Sequence, residues 1–278
     1  MTKSINDVIT LNNSVKIPQH GFGVYLIKEE EEGYNSINKA LEVGYRSFDT
    51  AQFYENEKLV GKILSESSVK RSELFITTKV ANFKQGYDST LKSVEQSLKD
   101  LRVDEIDLLL IHWPSKKHFF ETWKALEKLY NEKLVGAIGV SNYEIHHLEE
   151  LSSKGTIKPV INQVECHPYL TQELLKVYLK DQNIAFEAWS PLGRGALLNN
   201  AVISEIAKKY HKSIAQIIIR WHLQKGNIVI PKSITPARIE ENANVYDFNL
   251  VENEIKVIDS LNKNQRTGPV PDEVYLEI

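Results

Sequence analysis

Short apolar runs alternate along this chain with stretches whose apolar residues recur every three or four positions. Eight runs read as β-strands: 21–25, 45–49, 74–79, 106–112, 137–141, 160–165, 184–189 and 228–230. Several are apolar almost throughout, as in Leu108-Leu109-Leu110-Ile111. Such runs suit strands covered on both faces, the condition of a parallel sheet. Between them lie helical faces. Leu91, Val94, Leu98 and Leu101 form one, and Phe119, Trp123, Leu126 and Tyr130 another. Thr171-Gln172-Glu173 reads as a helix opening with a good N-cap, and Thr235-Pro236 opens the last barrel helix with proline at its first position. Ahead of all this, 8–11 and 15–18 read as a hairpin turning at Asn12-Asn13.

Eight strand–helix units leave a doubly wound sheet or a (β/α)8 barrel. The polar residues at the strand ends favour the barrel: Asp49, Lys79, His112, Ser141, Gln163, Trp189-Ser190 and Lys232. In a barrel these ends converge on one mouth, where barrel enzymes place their chemistry. The glycine-rich dinucleotide fingerprint of the open sheet is absent, because Gly21-Phe22-Gly23 lacks the third glycine and Gly193-Arg194-Gly195 does not fit it. The interval from Trp189 to Lys232 is the longest between strand ends and holds two helical stretches, 200–210 and 213–225, one of them extra to the barrel. The expected fold class is α/β, a single (β/α)8 TIM barrel over 1–278. Its N-terminal β-hairpin occupies 1–18, extra helices follow strand seven and lie at the C-terminus, and a Gly/Pro-rich loop occupies 262–278.

Composition narrows the function. The 278 residues carry 34 Lys+Arg against 37 Asp+Glu, a net charge of −3. Neither a nucleic acid nor a membrane surface is an expected partner at that balance. No run approaches the ~18 apolar residues that cross a bilayer, and no signal peptide is legible at the start. With Cys166 the only cysteine, no internal disulfide can form. A cytoplasmic location follows as an expectation. Cys166-His167 invites a thiol-nucleophile reading, which the opposite pointing of adjacent strand residues disfavours. His146-His147 lacks the i, i+4 spacing of a metal pair, and no HExxH motif occurs, so no metal is expected.

Longer motifs are more specific. The segment Gly44-Tyr45-Arg46-Ser47-Phe48-Asp49-Thr50-Ala51-Gln52-Phe53-Tyr54-Glu55-Asn56-Glu57-Lys58-Leu59-Val60-Gly61 resembles the aldo-keto reductase signature. Ile138-Gly139-Val140-Ser141-Asn142-Tyr143, Asn162-Gln163-Val164-Glu165-Cys166-His167-Pro168 and Ile230-Pro231-Lys232-Ser233 with Arg238, Glu241 and Asn242 match further motifs of that family, in its order. The resemblance runs from about Pro18 to Pro271 and implies a (β/α)8 barrel with an N-terminal hairpin. It also implies a tetrad of Asp49, Tyr54, Lys79 and His112, with Tyr54 the general acid. A Lys79 cation beside it is expected to lower the phenol pKa from about 10. Taken singly each residue has a plainer reading: Asp49 and Lys79 a structural ion pair, His112 a satisfied core histidine.

The resemblance likewise implies an NADPH site. Ser141, Asn142 and Gln163 would hold the nicotinamide carboxamide, and Trp189 would stack on the ring. Ser190, Leu192 and Gly195 would lie along the pyrophosphate. Lys232, Ser233 and Arg238 would take the 2′-phosphate, favouring NADPH over NADH, with Glu241 and Asn242 near the adenine. Asn142 could equally cap a helix over 143–153, and Trp189 could be a core aromatic. Tyr25, His112 and Trp113, with Asn82, would line the substrate end, and Lys116 and Lys117 near the mouth would favour anionic carbonyls. The short segment after Pro114 and the short tail resemble prokaryotic reductases of diketogluconate, methylglyoxal and similar small carbonyls. A monomeric enzyme reducing aldehydes and ketones is expected. The alternative is a non-catalytic nucleotide-binding regulatory module of the same fold. Gly136 and His20 depart from the family pattern, Gly136 standing where a basic residue is frequent and His20 where an apolar one is usual.

Overall fold

The computed structural model describes residues 2–277, so Met1 and Ile278, the outer ends of the expected hairpin segment and tail, lie outside it. Two short strands, β1 (Val8–Thr10) and β2 (Lys16–Pro18), pair antiparallel with Ile9 opposite Ile17. Eight parallel strands follow: β3 (Phe22–Gly23), β4 (Ser47–Asp49), β5 (Phe75–Val80), β6 (Leu108–Ile111), β7 (Ile138–Ser141), β8 (Ile161–Glu165), β9 (Ala185–Trp189) and β10 (Ile228–Val229). Each pairs with its sequence neighbour, in the order β3 to β10. The ends of that row meet as well. Gly21 N–H donates to Val229 O at 2.9 Å, Val229 N–H to Gln19 O at 3.0 Å, and Gly23 N–H to Pro231 O at 3.1 Å. The eight expected strands are all present, shorter by one or two residues at most ends, and they close into a barrel.

Helices wrap it: α1 (Glu30–Val43), α2 (Glu57–Glu66), α3 (Tyr87–Leu101), α4 (Phe119–Asn131), α5 (Ile145–Lys154), α6 (Glu173–Asp181), α7 (Ala201–Tyr210), α8 (Ile214–Gln224), α9 (Pro236–Ala243), α10 (Glu252–Asp259) and α11 (Pro271–Glu277). The crossover from β9 to β10 carries both α7 and α8, as its length requires. Their apolar faces are the expected ones: Val94 and Leu101 on α3, Phe119, Trp123 and Leu126 on α4, all buried against the sheet. Thr235 and Pro236 start α9 as read. Three readings are corrected. The cap residue of α6 is Gln172, in a left-handed conformation and without a side-chain cap bond, because its amide reaches back to Glu165 O at 3.0 Å. The helix after β7 is capped by Glu144, whose side chain and that of His147 form a reciprocal capping box, so Asn142 is free of that duty. And the tail is not all loop, since 271–277 form α11.

The hairpin closes the barrel's N-terminal end. Ile17 and Leu11 are buried with Phe75, Leu108, Leu110, Ala137 and Ile161, a separate apolar cluster at the base. Asn12 donates to Pro159 O and Asn183 O, and Asn13 to Gly136 O, tying the turn to the loops there. At Gly136 a side chain would meet Glu105 Oε1 at 2.8 Å and Asp107 O at 3.2 Å, so glycine suits the packing. His20 is fully buried beside Tyr246 (2.8 Å) and Tyr45 (3.3 Å), and burial pushes it down to about 3. It is a neutral, satisfied core histidine at the seam between β3 and β10.

Candidate active site

The mouth of the barrel opens into a cavity of about 1040 Å³. Every residue named from the sequence for catalysis or cofactor binding lines it except Lys79, which lies wholly buried beneath the floor. Asp49 ends β4. The chain then makes one tight turn, Gln52–Tyr54, that brings Tyr54 back over the strand end. Gln52 pins this turn, donating to Ser93 and Ser97 of α3 at 3.1 and 3.0 Å while accepting from Ala81 N–H at 3.0 Å. Asn56 holds its far side, donating to Val24 O and Ile27 O and accepting from Thr50 Oγ1. Neither Gln52 nor Asn56 was singled out from the sequence, although both lie inside the motif around Tyr54.

Lys79, at 0% exposure, donates to Asp49 Oδ1 at 2.5 Å and Thr50 O at 3.0 Å, and reaches Tyr54 Oη at 3.5 Å. Burial opposes the ammonium charge, but Asp49 and Tyr54 outweigh it, and its pKa is raised. Burial likewise raises the Tyr54 phenol, and the neighbouring Lys79 cation offsets only part of that. The expected net lowering of Tyr54 is therefore corrected: its hydroxyl keeps its proton across the neutral range. His112, just past β6, stands edge-on to Tyr54 with ring centres 5.6 Å apart. Burial, with Lys79 adding to it, holds His112 well below its usual range, so it is neutral at pH 7.

Beside this group, Gln163 of β8 donates through its amide to Asp49 Oδ2 at 2.7 Å and to Glu187 Oε2 at 3.0 Å. Ser141 donates to Gln163 O at 2.8 Å. Asn142, held in a left-handed conformation (φ 65°), donates to His112 O at 2.9 Å and accepts from Trp189 Nε1 at 2.8 Å. Trp189 thus stands at the cavity wall with one edge tied down. The C-terminal segment lies against it. Glu165 accepts from Thr267 N–H at 2.6 Å and Gly268 N–H at 3.2 Å, and a Cβ added to Gly268 would sit 2.5 Å from Trp189 Cη2.

At the other end Lys232, Ser233, Arg238, Glu241 and Asn242 come together. Among the described residues neither Lys232 nor Arg238 makes an ion pair, and burial lowers the Lys232 ammonium. Two unpaired cations at one end and an aromatic wall with amide groups at the other fit a long dinucleotide that bears an extra phosphate. At the remaining end, Asn82 Oδ1 is buried with no hydrogen-bond partner among the described residues, in the wall shared with Tyr25, Phe53 and Trp113. An orphaned acceptor there fits a polar ligand atom.

Several lining residues escaped the sequence reading: Phe53, Arg194, Leu198, Ser213, Ala215 and, from the tail, Pro269 and Val274. The legible signal for one group was Ser213-Ile214-Ala215-Gln216, a capping box that marks the start of α8. Lys116 and Lys117 are exposed and do not line the cavity, which removes the ground for a charge preference. Cys166 and His167 lie just past β8, buried away from it, and burial raises the thiol. His146, His147 and Asp272 gather outside the cavity, their ligand atoms within 4.8 Å of one another. His147 Nδ1 accepts from Glu144 N–H at 3.1 Å, which places the ring proton on Nε2, facing Asp272. His147 Nε2 makes no hydrogen bond among the described residues, so the tie between α5 and α11 is His146 Nε2, 3.0 Å from Asp272 Oδ1.

Residues 21–263 match the model of the aldo/keto reductase family. The chain is 51% identical over 274 residues to glyoxal reductase from Bacillus subtilis (strain 168), covering 99% of each. It is 46% identical over 270 residues to a methylglyoxal reductase from Escherichia coli (strain K12), covering 96% of this chain and 97% of the other. A crystal structure of a Gox0644 mutant in complex with NADPH superposes with a TM-score of 0.91 at 41% identity, covering 96% of this chain and 98% of that one. With the barrel, the hairpin and the clustered motif residues in place, these likenesses make the chain an oxidoreductase of the aldo/keto reductase family.

Proposed function

We propose that the protein reduces small aldehydes and ketones, dicarbonyls such as methylglyoxal and glyoxal among them, with NADPH as reductant and Tyr54 as general acid. The observation that carries this reading is the buried Lys79–Asp49 pair set beneath a protonated Tyr54 at the floor of a cavity with an aromatic wall. NADPH, when bound, supplies a hydride to the carbonyl carbon. Lys232, Ser233 and Arg238 would hold its 2′-phosphate, Ser190, Leu192 and Gly195 would follow its pyrophosphate, and Glu241 and Asn242 would meet the adenine. Ser141, Asn142 and Gln163 would orient the carboxamide against Trp189. Names of relatives that reduce glyoxal and methylglyoxal support the substrate class.

The chain's own part is proton management. Tyr54 hydrogen-bonds the carbonyl oxygen and delivers its proton as negative charge develops there. Lys79 stabilises the phenolate left behind, and Asp49 keeps the ammonium in place. Neutral His112 directs the carbonyl oxygen toward Tyr54, and Tyr25, Phe53 and Trp113 exclude water around it. In Tyr54→Phe, kcat for methylglyoxal should fall by about 10²–10⁴-fold, with NADPH still bound. Turnover and fluorescence titration together measure this, and undiminished turnover would sink the mechanism.

A further inference from the structure

The tetrad leaves one buried titratable group beside it unused. Glu187 is 1% exposed, on β9, directly opposite Gln163 in the strand register and two residues before Trp189. Two residues along a strand share a face, so Glu187 sits one layer deeper in the barrel than Trp189. Gln163 has a single amide nitrogen with two N–H groups. One goes to Asp49 Oδ2 at 2.7 Å and the other to Glu187 Oε2 at 3.0 Å.

We propose that Glu187 is a positioning residue for the cofactor's carboxamide: by taking the second Gln163 N–H, it holds the Gln163 carbonyl oxygen toward the cavity as a fixed acceptor. The inference rests on the NADPH reading above. The geometry leaves Gln163 one amide orientation. Turned over, Gln163 would set its carbonyl oxygen against the Asp49 carboxylate, a repulsive contact in place of the 2.7 Å hydrogen bond. Asp49 alone would fix one N–H and leave the amide free to pivot about that contact. The carboxamide of a nicotinamide carries both a donor and an acceptor, so an acceptor with a fixed direction selects its orientation.

Glu187 performs this role mostly uncharged. Burial raises its pKa, and the Asp49 carboxylate adds to that. The charged or titratable groups facing it are Asp49 from β4 and Lys79 from β5, with Tyr54 beyond Lys79; β10 presents Ile228 and β8 presents Gln163. One ammonium between two carboxyl groups balances one negative charge, and the second carboxyl keeps its proton. A glutamine can therefore replace it with the acceptor retained, while a methionine of similar shape cannot.

The test compares Glu187→Gln and Glu187→Met with wild type, each confirmed folded by circular dichroism. Two probes are titrated by tryptophan fluorescence at constant pH: NADPH, and 2′-phospho-ADP-ribose, which lacks the nicotinamide. Glu187→Met should bind NADPH about tenfold more weakly, a loss of ~1.4 kcal/mol, and should bind 2′-phospho-ADP-ribose as wild type does. Glu187→Gln should restore NADPH affinity to within about twofold. KM for NADPH should rise in Glu187→Met and return to within about twofold of wild type in Glu187→Gln. Equal affinity of Glu187→Met and wild type for NADPH would overturn the assignment, as would an equal loss for both probes, which would mark a structural role only. Wild type that binds neither probe would instead bring down the NADPH reading itself.

Discussion

Single side chains in the cavity make separable demands on a ligand. Arg238 reaches the cationic end with no carboxylate partner among the described residues, so truncating it disturbs none of their ion pairs. Arg238→Ala should weaken NADPH at least about tenfold, as loss of a charge-assisted phosphate contact does, and leave NADH affinity unchanged, both read by equilibrium titration. Gly268 acts by what it lacks. In Gly268→Ala the new methyl would press on the Trp189 ring, and overpacking of this kind costs about 1–3 kcal/mol. Denaturant unfolding should show that loss, and NADPH titration a weaker complex. The motif residues Asp49, Tyr54, Lys79 and His112 were legible because chemistry restricts their type. Glu187 and Gln52 were not, since a buried glutamate or glutamine announces itself only when its partners from distant strands and helices are known. The pKa of Tyr54 was misjudged for a related reason: sequence shows that a lysine is available, but not that burial outweighs it.

Between elements, Glu57 is the joint that fixes α2 to the sheet. From the first turn of α2 it accepts from Thr78 Oγ1 of β5 at 2.6 Å and Ser97 Oγ of α3 at 3.1 Å. Burial pushes its carboxyl up to about 7 in spite of those bonds. Unfolded, it would ionise near 4.5. Between these values the native state holds a proton that the unfolded chain has lost, so this group makes stability fall as pH rises from about 4.5 to about 7. Glu57→Gln keeps an acceptor and cannot ionise. Its advantage over wild type in urea unfolding should be larger at about pH 8 than at about pH 5. Strands and helices themselves were readable to within a few residues, because periodicity records which face is covered. The caps of α5 and α6 were not, because the choice among neighbouring cap residues depends on tertiary partners such as Glu165 and His147. The last helix, α11, is one short amphipathic turn pair held by contacts to α5, and its Gly/Pro-rich approach reads as loop.

For the whole molecule, the cavity draws its walls from most of the barrel loops and from the tail, so filling it should brace the entire fold. A ligand at a hundred times its Kd adds about 2.7 kcal/mol. For a chain of this size that corresponds to a rise in Tm of roughly 5 °C, measurable by differential scanning fluorimetry with NADPH and smaller with NADH at equal concentration. Barrel topology was legible from the strand ends and the missing glycine fingerprint, while the contact of His146 with Asp272 joins parts of the chain too far apart for any local pattern to reveal. The seam where β3 meets β10 also sets an order of assembly. Its hydrogen bonds join residues 19–23 to residues 229–231, so a nascent chain emerging from the ribosome keeps β3 with an unpaired edge until nearly the whole protein has been made. The strand that closes this edge runs directly into Lys232 and Ser233. Completion of the cylinder and delivery of the cations proposed to hold the phosphate are thus a single late event in biosynthesis, and an incomplete chain should gain neither one without the other.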